Sequence, residues 1–304
     1  DAYQSFMARV RSYVENRDSR PESVFADEIL MQRFDDHPRR QPLTLDYLDL
    51  IHLDVAYEQY VQRFADASDF TFLLVGNFEL DSIRPLVERY IGALPALQRE
   101  ETWRDIGAVP TAGPLQVNVY KGLEPKSQVR LFWNGPAEWS RENRHEIISF
   151  ATAFRIRLRE VLREDLSGTY GVSVNASISK RPEERYTLTV GFGCAPENVH
   201  ELVQAIRDEI AAIRQDGLDD TYASKVRESQ RRERETNLKE NEFWLSVLKV
   251  YYSLEMDPRL ILDYESLVER ITPEMLRRTA ERYLDSEPAL EAVLYPEETE
   301  SPSR

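Results

Sequence analysis

Between Tyr170 and Lys180 the apolar residues Tyr170, Val172, Val174, Ala176 and Ile178 alternate with Gly171, Ser173, Asn175, Ser177 and Ser179. A second alternation follows, with Tyr186, Leu188, Val190 and Phe192 set against Thr187, Thr189 and Gly191. Period two with one polar side predicts two half-buried strands. The polar Arg181-Pro182-Glu183-Glu184 between them predicts an antiparallel hairpin with a turn longer than two residues. Leu115, Val117 and Val119 predict an earlier strand, Val129, Leu131 and Trp133 another, and Ala289–Leu294 a last one.

Helical periodicity fills the intervals. Ile147, Ala151, Phe154, Leu158, Val161 and Leu162 lie on one stripe of a helix entered near Ser140. Val199, Leu202, Val203, Ile206, Ile210 and Ile213 form another, which Gly217 is expected to end. A long charged helix is predicted from about Asp220 to Leu254, its Arg and Glu residues making a solvated face. Thr272-Pro273 opens the last helix, with Thr as N-cap and Pro at the first turn. The order β-β-α-β-β-α-α-α-β predicts an α+β fold, helices packed on one face of a mostly antiparallel sheet.

Residues 1–98 read as a shorter version of that pattern. Leu43-Thr44 opens a helix leading to a predicted strand, Phe70–Phe78, much as Ile271-Thr272 opens the helix leading to Ala289–Leu294. A helix carrying Ile83, Leu86, Val87, Tyr90 and Ile91 follows. The second copy has two strand pairs ahead of its helices and the first has none. The expected organisation is therefore residues 1–98 as the rear half of an α+β domain, 99–114 as a connector, and 115–304 as a complete domain of the same fold. Pro95, Gly107, Pro110, Gly113 and Pro114 give the joint its extended composition.

Charge narrows the function classes. The 304 residues carry 54 Asp and Glu against 39 Lys and Arg, a formal charge of −15. That acid excess argues against nucleic acid and anionic lipid as partners, since both are held by clustered cations. Hydrophobic residues make up 41%, enough for a packed core, and no apolar run approaches the ~20 residues that span a bilayer. Asp1 reads as a cut point and not a natural start. The lone Cys194 rules out an intrachain disulfide and a Cys-ligated zinc site.

Self-contained catalytic motifs are missing. His37, His52, His145 and His200 are not paired at helical spacing, so no His-x-x-x-His or His-x-x-Glu-His metal site is encoded. Neither a glycine-rich phosphate loop nor a Gly-x-Ser-x-Gly elbow occurs. The segment that stands out is Leu162-Arg-Glu-Asp-Leu-Ser-Gly-Thr-Tyr-Gly-Val172, joining a long helix to the cleanest strand. Arg163 and Tyr170 are seven residues apart there. With Phe72-Leu-Leu-Val-Gly-Asn-Phe78, Ile83–Ile91 and Leu94-Pro95, this text resembles the C-terminal half of the pitrilysin/insulysin family of inverted-motif zinc peptidases, bacterial type, over most of residues 40–295.

The resemblance implies four homologous α+β domains in two halves closing around an extended peptide. It places zinc in the N-terminal half, on His-x-x-Glu-His and a distal Glu, and none in this chain. Arg163 and Tyr170 would be auxiliary catalytic residues, binding the peptide and stabilising the tetrahedral intermediate, so this chain alone would be inactive. The partners would be the N-terminal catalytic half, in the same or a separate chain, and the peptide; bacterial members suggest the periplasm. The alternative is an inactive structural or partner subunit of the same fold, acting through protein interfaces. Each residue also has a plainer reading. A cation in the last turn of a helix is favoured by the helix dipole whatever it binds. Tyr170 shares strand parity with Val172 and Val174, which suits a core residue with its hydroxyl at the rim.

Overall fold

The computed structural model describes residues 2–165 and 169–297; of Arg163, Glu164, Asp165 and Tyr170 it describes the backbone only. The chain divides into two compact units. One comprises Asp1–Val14, Leu43–Ile106 and Arg232–Asp263, and the other Glu15–Pro42, Gly107–Arg231 and Tyr264–Arg304.

The larger unit is built on one five-stranded sheet: β1 (Leu115–Tyr120), β2 (Ser127–Pro136), β3 (Thr169–Ser179), β4 (Arg185–Cys194) and β5 (Leu290–Tyr295). Their spatial order is β1-β5-β2-β4-β3. The pairs β3–β4, β4–β2 and β2–β5 are antiparallel, and β1 runs parallel to β5. The alternating segments thus form the expected hairpin. The first two strands, read as a hairpin-like pair, are instead separated by β5. Leu290, Ala292, Val293 and Leu294 leave β5 apolar on both sides, and such a strand is most stable in the centre of a sheet covered twice.

Helices α6 (Arg141–Arg159), α7 (Val199–Asp216) and α11 (Pro273–Tyr283) cover one face. Phe150, Phe154, Leu158, Leu202, Ile206, Ile210, Ile213 and Leu276 pack there against Val129, Leu131, Leu188 and Val190. Their caps form as the sequence requires: Ser140 Oγ accepts from Asn143 N at 3.0 Å, Thr272 Oγ1 from Met275 N at 3.1 Å, and Gly217 closes α7 at φ +78°. The opposite face carries a helix absent from the sequence reading. α2 (Pro21–Arg33) lays Phe25 and Ile29 over Val117, Phe132, Leu290, Ala292 and Leu294, covering β1 and β5 and leaving β4 and β3 open.

The smaller unit contains α1 (Ala2–Glu15, which ends across its boundary), α3 (Leu45–Asp49), α4 (Leu53–Phe64), α5 (Leu80–Tyr90) and α9 (Asn241–Ser253). α8 (Asp220–Asn237) begins in the larger unit, and α10 (Glu265–Glu269) lies wholly within it. The single long helix expected from Asp220 to Leu254 is broken at Leu238–Glu240, where Trp244 Nε1 donates to the freed Leu238 carbonyl at 3.0 Å. That bond satisfies one of the backbone acceptors that a helix end leaves open. No strand occurs among the described residues of this unit, so Phe70–Phe78 is not the strand expected. An extended segment becomes a strand only when a neighbour accepts its ladder hydrogen bonds, and among the described residues no strand pairs with it.

Candidate functional site

The site predicted around Arg163 and Tyr170 lies where α6 gives way to β3, and both residues stand on irregular backbone. α6 ends in a π-helical turn, Glu160–Asp165, that contains Arg163. Such turns widen the helix locally and recur at functional sites. Arg157, one turn earlier, grips Glu209 of α7 through Nε (2.8 Å) and Nη2 (3.0 Å), and this bond raises the guanidinium pKa further. The first residue of the turn, Glu160, accepts from the Tyr222 hydroxyl of α8, with Lys225 Nζ 3.5 Å from its other oxygen. Two neighbouring helices therefore fix the turn.

β3 opens on a bulge. Thr169 pairs with Cys194 and Val172 with Phe192, so three steps along β3 match two along β4. The extra residue falls at Tyr170–Gly171. The Thr169 hydroxyl clamps it, donating to the Gly193 carbonyl at 2.6 Å and accepting from Gly171 N at 3.2 Å. Bulges re-aim side chains and are enriched beside active sites. This one also removes the parity argument for a core Tyr170, because alternation is interrupted at that residue. The side chains of Arg163 and Tyr170 themselves lie outside the described residues.

The open face of the sheet runs on from this point. Gln128 and Arg130 of β2, Thr187 and Thr189 of β4, and Ser173, Asn175 and Ser177 of β3 are partly or fully exposed on it. A cavity of about 880 Å³ is lined by Lys121–Gln128, Arg130, Ser173 and Gly191–Ala195, at the end of the sheet where Thr169 meets Cys194. Gly191 matters there: a Cβ would stand 2.9 Å from Arg130 Nη1 and 3.1 Å from Ser173 Oγ. The bare backbone gives the Arg130 guanidinium room to lie over β4. A glycine inside an alternating strand was the sequence signal for this close approach.

The remaining polar groups have structural roles. His145 Nε2 is 2.9 Å from Gln230 Oε1, which also accepts from the Tyr264 hydroxyl, and burial lowers the imidazole pKa. Cys194 is buried and its thiol is pushed up to about 11 by burial, which leaves it unreactive. Among the described residues no group of three or more His, Cys, Asp or Glu is placed to hold a metal ion. The described side chains do not fit a zinc site. No helix among them is long and apolar enough to cross a membrane.

Known proteins share this fold. "Probable zinc protease PqqL" of Haemophilus influenzae is 24% identical over 93% of the chain and 30% of its own length. The solved periplasmic protease PqqL of Escherichia coli superposes with a TM-score of 0.83 over 97% of this chain and 33% of that one, at 21% identity. The first half of the same protease matches too, with a TM-score of 0.71 over 99% of this chain and 66% of that one, at 16% identity. The chain spans about 30% of the length of the curated relatives it matches. The pattern of the peptidase M16 inactive domain fits residues 57–229, more than half of the chain. This chain belongs to the peptidase M16 inactive domain family.

Proposed function

We propose that this chain is the non-metal C-terminal half of a zinc-dependent endopeptidase, forming one wall of the chamber that holds an extended peptide. Zinc would reside in the N-terminal half, where it would polarise the scissile carbonyl and activate water. Arg163 and Tyr170 would supply what this half adds to the chemistry. A guanidinium offers several fixed donors to peptide carbonyls, and a phenol offers one to the oxygen that gains charge in the tetrahedral intermediate. Losing one such donor costs roughly 2.7–4 kcal/mol in comparable oxyanion holes.

The observation that carries this reading is the backbone at the two positions, inside a family whose relatives are named zinc proteases. Arg163 is on a π-turn pinned by two helices, and Tyr170 is at a bulge opening onto a polar sheet face. The same reading makes residues 1–98 the rear half of a second domain, joined by 99–114 to the domain 115–304. Its support is an internal repeat, in a register that matches Ile51-His52, and not Leu43-Thr44, with Ile271-Thr272, because Thr44 caps the short α3 and not the helix that follows it. α3 and α4 start at Leu45 and Leu53, α10 and α11 at Glu265 and Pro273, each pair the same distance apart in sequence (265 − 45 = 273 − 53 = 220). The periplasm is the proposed compartment, as it is for the Escherichia coli protease.

Tyr170→Phe in the complete protein is expected to lower kcat/KM for a peptide substrate by at least tenfold with zinc content unchanged. Unaltered kinetics would remove the catalytic role and favour an inactive partner subunit.

A further inference from the structure

At the hairpin end of the open face, a second cavity of about 250 Å³ is lined by Arg33, Arg40, Arg181 and Arg185. Glu183 is the one acid among its lining residues. In a chain of charge −15 this concentration of guanidinium groups needs a reason. Arg33 Nη2 donates to Thr187 Oγ1 at 3.1 Å, and Arg185 Nη1 lies 3.3 Å from Glu183 Oε2. The Nε atoms of Arg33 and Arg185 are buried without a hydrogen-bond partner, an arrangement that costs free energy unless an acceptor arrives. Aromatic rings hold the cations in place. The Arg33 guanidinium carbon is 4.7 Å from the Phe132 ring centroid and 5.5 Å from that of Phe34, and Arg40 lies 4.9 Å over Phe34. Burial, and then the charge of Arg40, push the Arg33 pKa down to about 10. An anion between them would relieve both penalties.

We propose that this arginine pocket binds the carboxylate of an acidic residue, or the chain end, of a peptide laid along the open face of the sheet. The pocket's other groups favour a monoanion. Arg33 is the last residue of α2, where the helix dipole places partial negative charge, and Glu183 adds a full one; both oppose a phosphate dianion. The volume suits one acidic side chain and not a nucleotide. Along β4, Thr187 beneath Arg33 and Gly191 beneath Arg130 are four residues apart, roughly 13 Å at the usual strand rise. An extended peptide with acidic residues at positions i and i+4 would therefore meet both Arg33 and Arg130.

The inference rests on the chamber-wall reading and names its substrate class, and its test does not depend on cleavage. Fluorescence anisotropy of the complete protein, with chelator present to stop turnover, would compare four probes. These are an end-capped dodecapeptide with two Glu four residues apart, its Gln counterpart, the Gln peptide with a free C-terminal carboxylate, and inorganic phosphate as competitor. The Glu peptide should bind about tenfold tighter than the Gln peptide, and the advantage should shrink at 0.5 M salt. Arg33→Gln should cut the ratio about fivefold, leaving what the Glu opposite Arg130 contributes. The exposed Arg40→Gln, which gives up only the contact over the Phe34 ring, should reduce it about threefold. Tighter binding of the free-acid peptide than the capped Gln peptide would assign the site to a chain end. Equal binding of Glu and Gln peptides, a preference undiminished by either substitution, or binding of phosphate without peptide preference would each overturn the proposal. Altered kinetics in Tyr170→Phe with no acidic preference would sink this inference alone.

Discussion

His145, one of the four histidines that lack metal-site spacing in the sequence, has a structural role in the fold. Its Nε2 meets Gln230, its ring packs edge-on against Tyr264, and its Nδ1 is buried without a partner. Burial is the largest influence on its pKa and lowers it; Arg141 and Arg144 lower it further, while Gln230 and Glu146 oppose them. The unfolded chain therefore takes up the proton first. Stability from this residue is complete above the ordinary histidine value, about pH 6.5, and falls as pH drops through that value toward the lower folded one. The unfolding midpoint of the protein should decline between pH 7.5 and 5.5, and His145→Gln should flatten that decline. An unchanged pH slope in the variant would show that the proton is taken up elsewhere.

Among elements, β5 decides the most. It enters between β1 and β2 at the end of the chain, and its start is sealed by Gly113. That residue has φ +72°, and a Cβ on it would stand 2.0 Å from the Ala289 carbonyl oxygen, while Leu115 N donates to the same oxygen at 3.0 Å. Gly113→Ala should cost about 2 kcal/mol or more through strain and lost β1–β5 pairing, read as a lower urea midpoint. α8 and α9 teach a different lesson at this scale. Charged and apolar periodicity runs through residues 238–240 without a Gly or Pro, so nothing local marks the break; the Trp244 indole satisfies the end that it creates.

At the scale of the whole molecule the two units differ in what they bury. Leu290, Ala292 and Leu294 of β5 are 1%, 0% and 4% exposed, whereas Phe70, Phe72 and Leu74, which the 220-residue repeat aligns with them, are 36%, 43% and 46% exposed. A run with this apolar content is built for a covered sheet position, and single exposed apolar residues would need no such explanation. If residues 1–98 are the rear half of a domain, amide hydrogens of Thr71–Val75 should exchange quickly in the 304-residue chain. In the complete protein they should be protected by at least a hundredfold, as the segment gains strand partners. Equal exchange in both would contradict that organisation.

Local pattern was enough for much of this protein. Alternation defined β1 to β4 and a short apolar run β5, the 3.6-residue stripes of α6, α7 and α11 defined the covering helices, and Ser140, Thr272 and Gly217 set their ends, because each depends on neighbours close in sequence. The position of the Arg163–Tyr170 segment between helix and strand was legible for the same reason. Tertiary structure alone decided the placement of β5 inside the sheet, the π-turn and bulge under the two candidate residues, and the cover given by α2 to half of one face. It also gathered Arg33 and Arg40 with Arg181 and Arg185 around one cavity. These features come from pairings between segments well separated in sequence, 24 residues for the Thr169–Gly193 bond and 154 for Arg33–Thr187, where the free energy lies in shared burial and ladder hydrogen bonds that no single stretch of sequence contains.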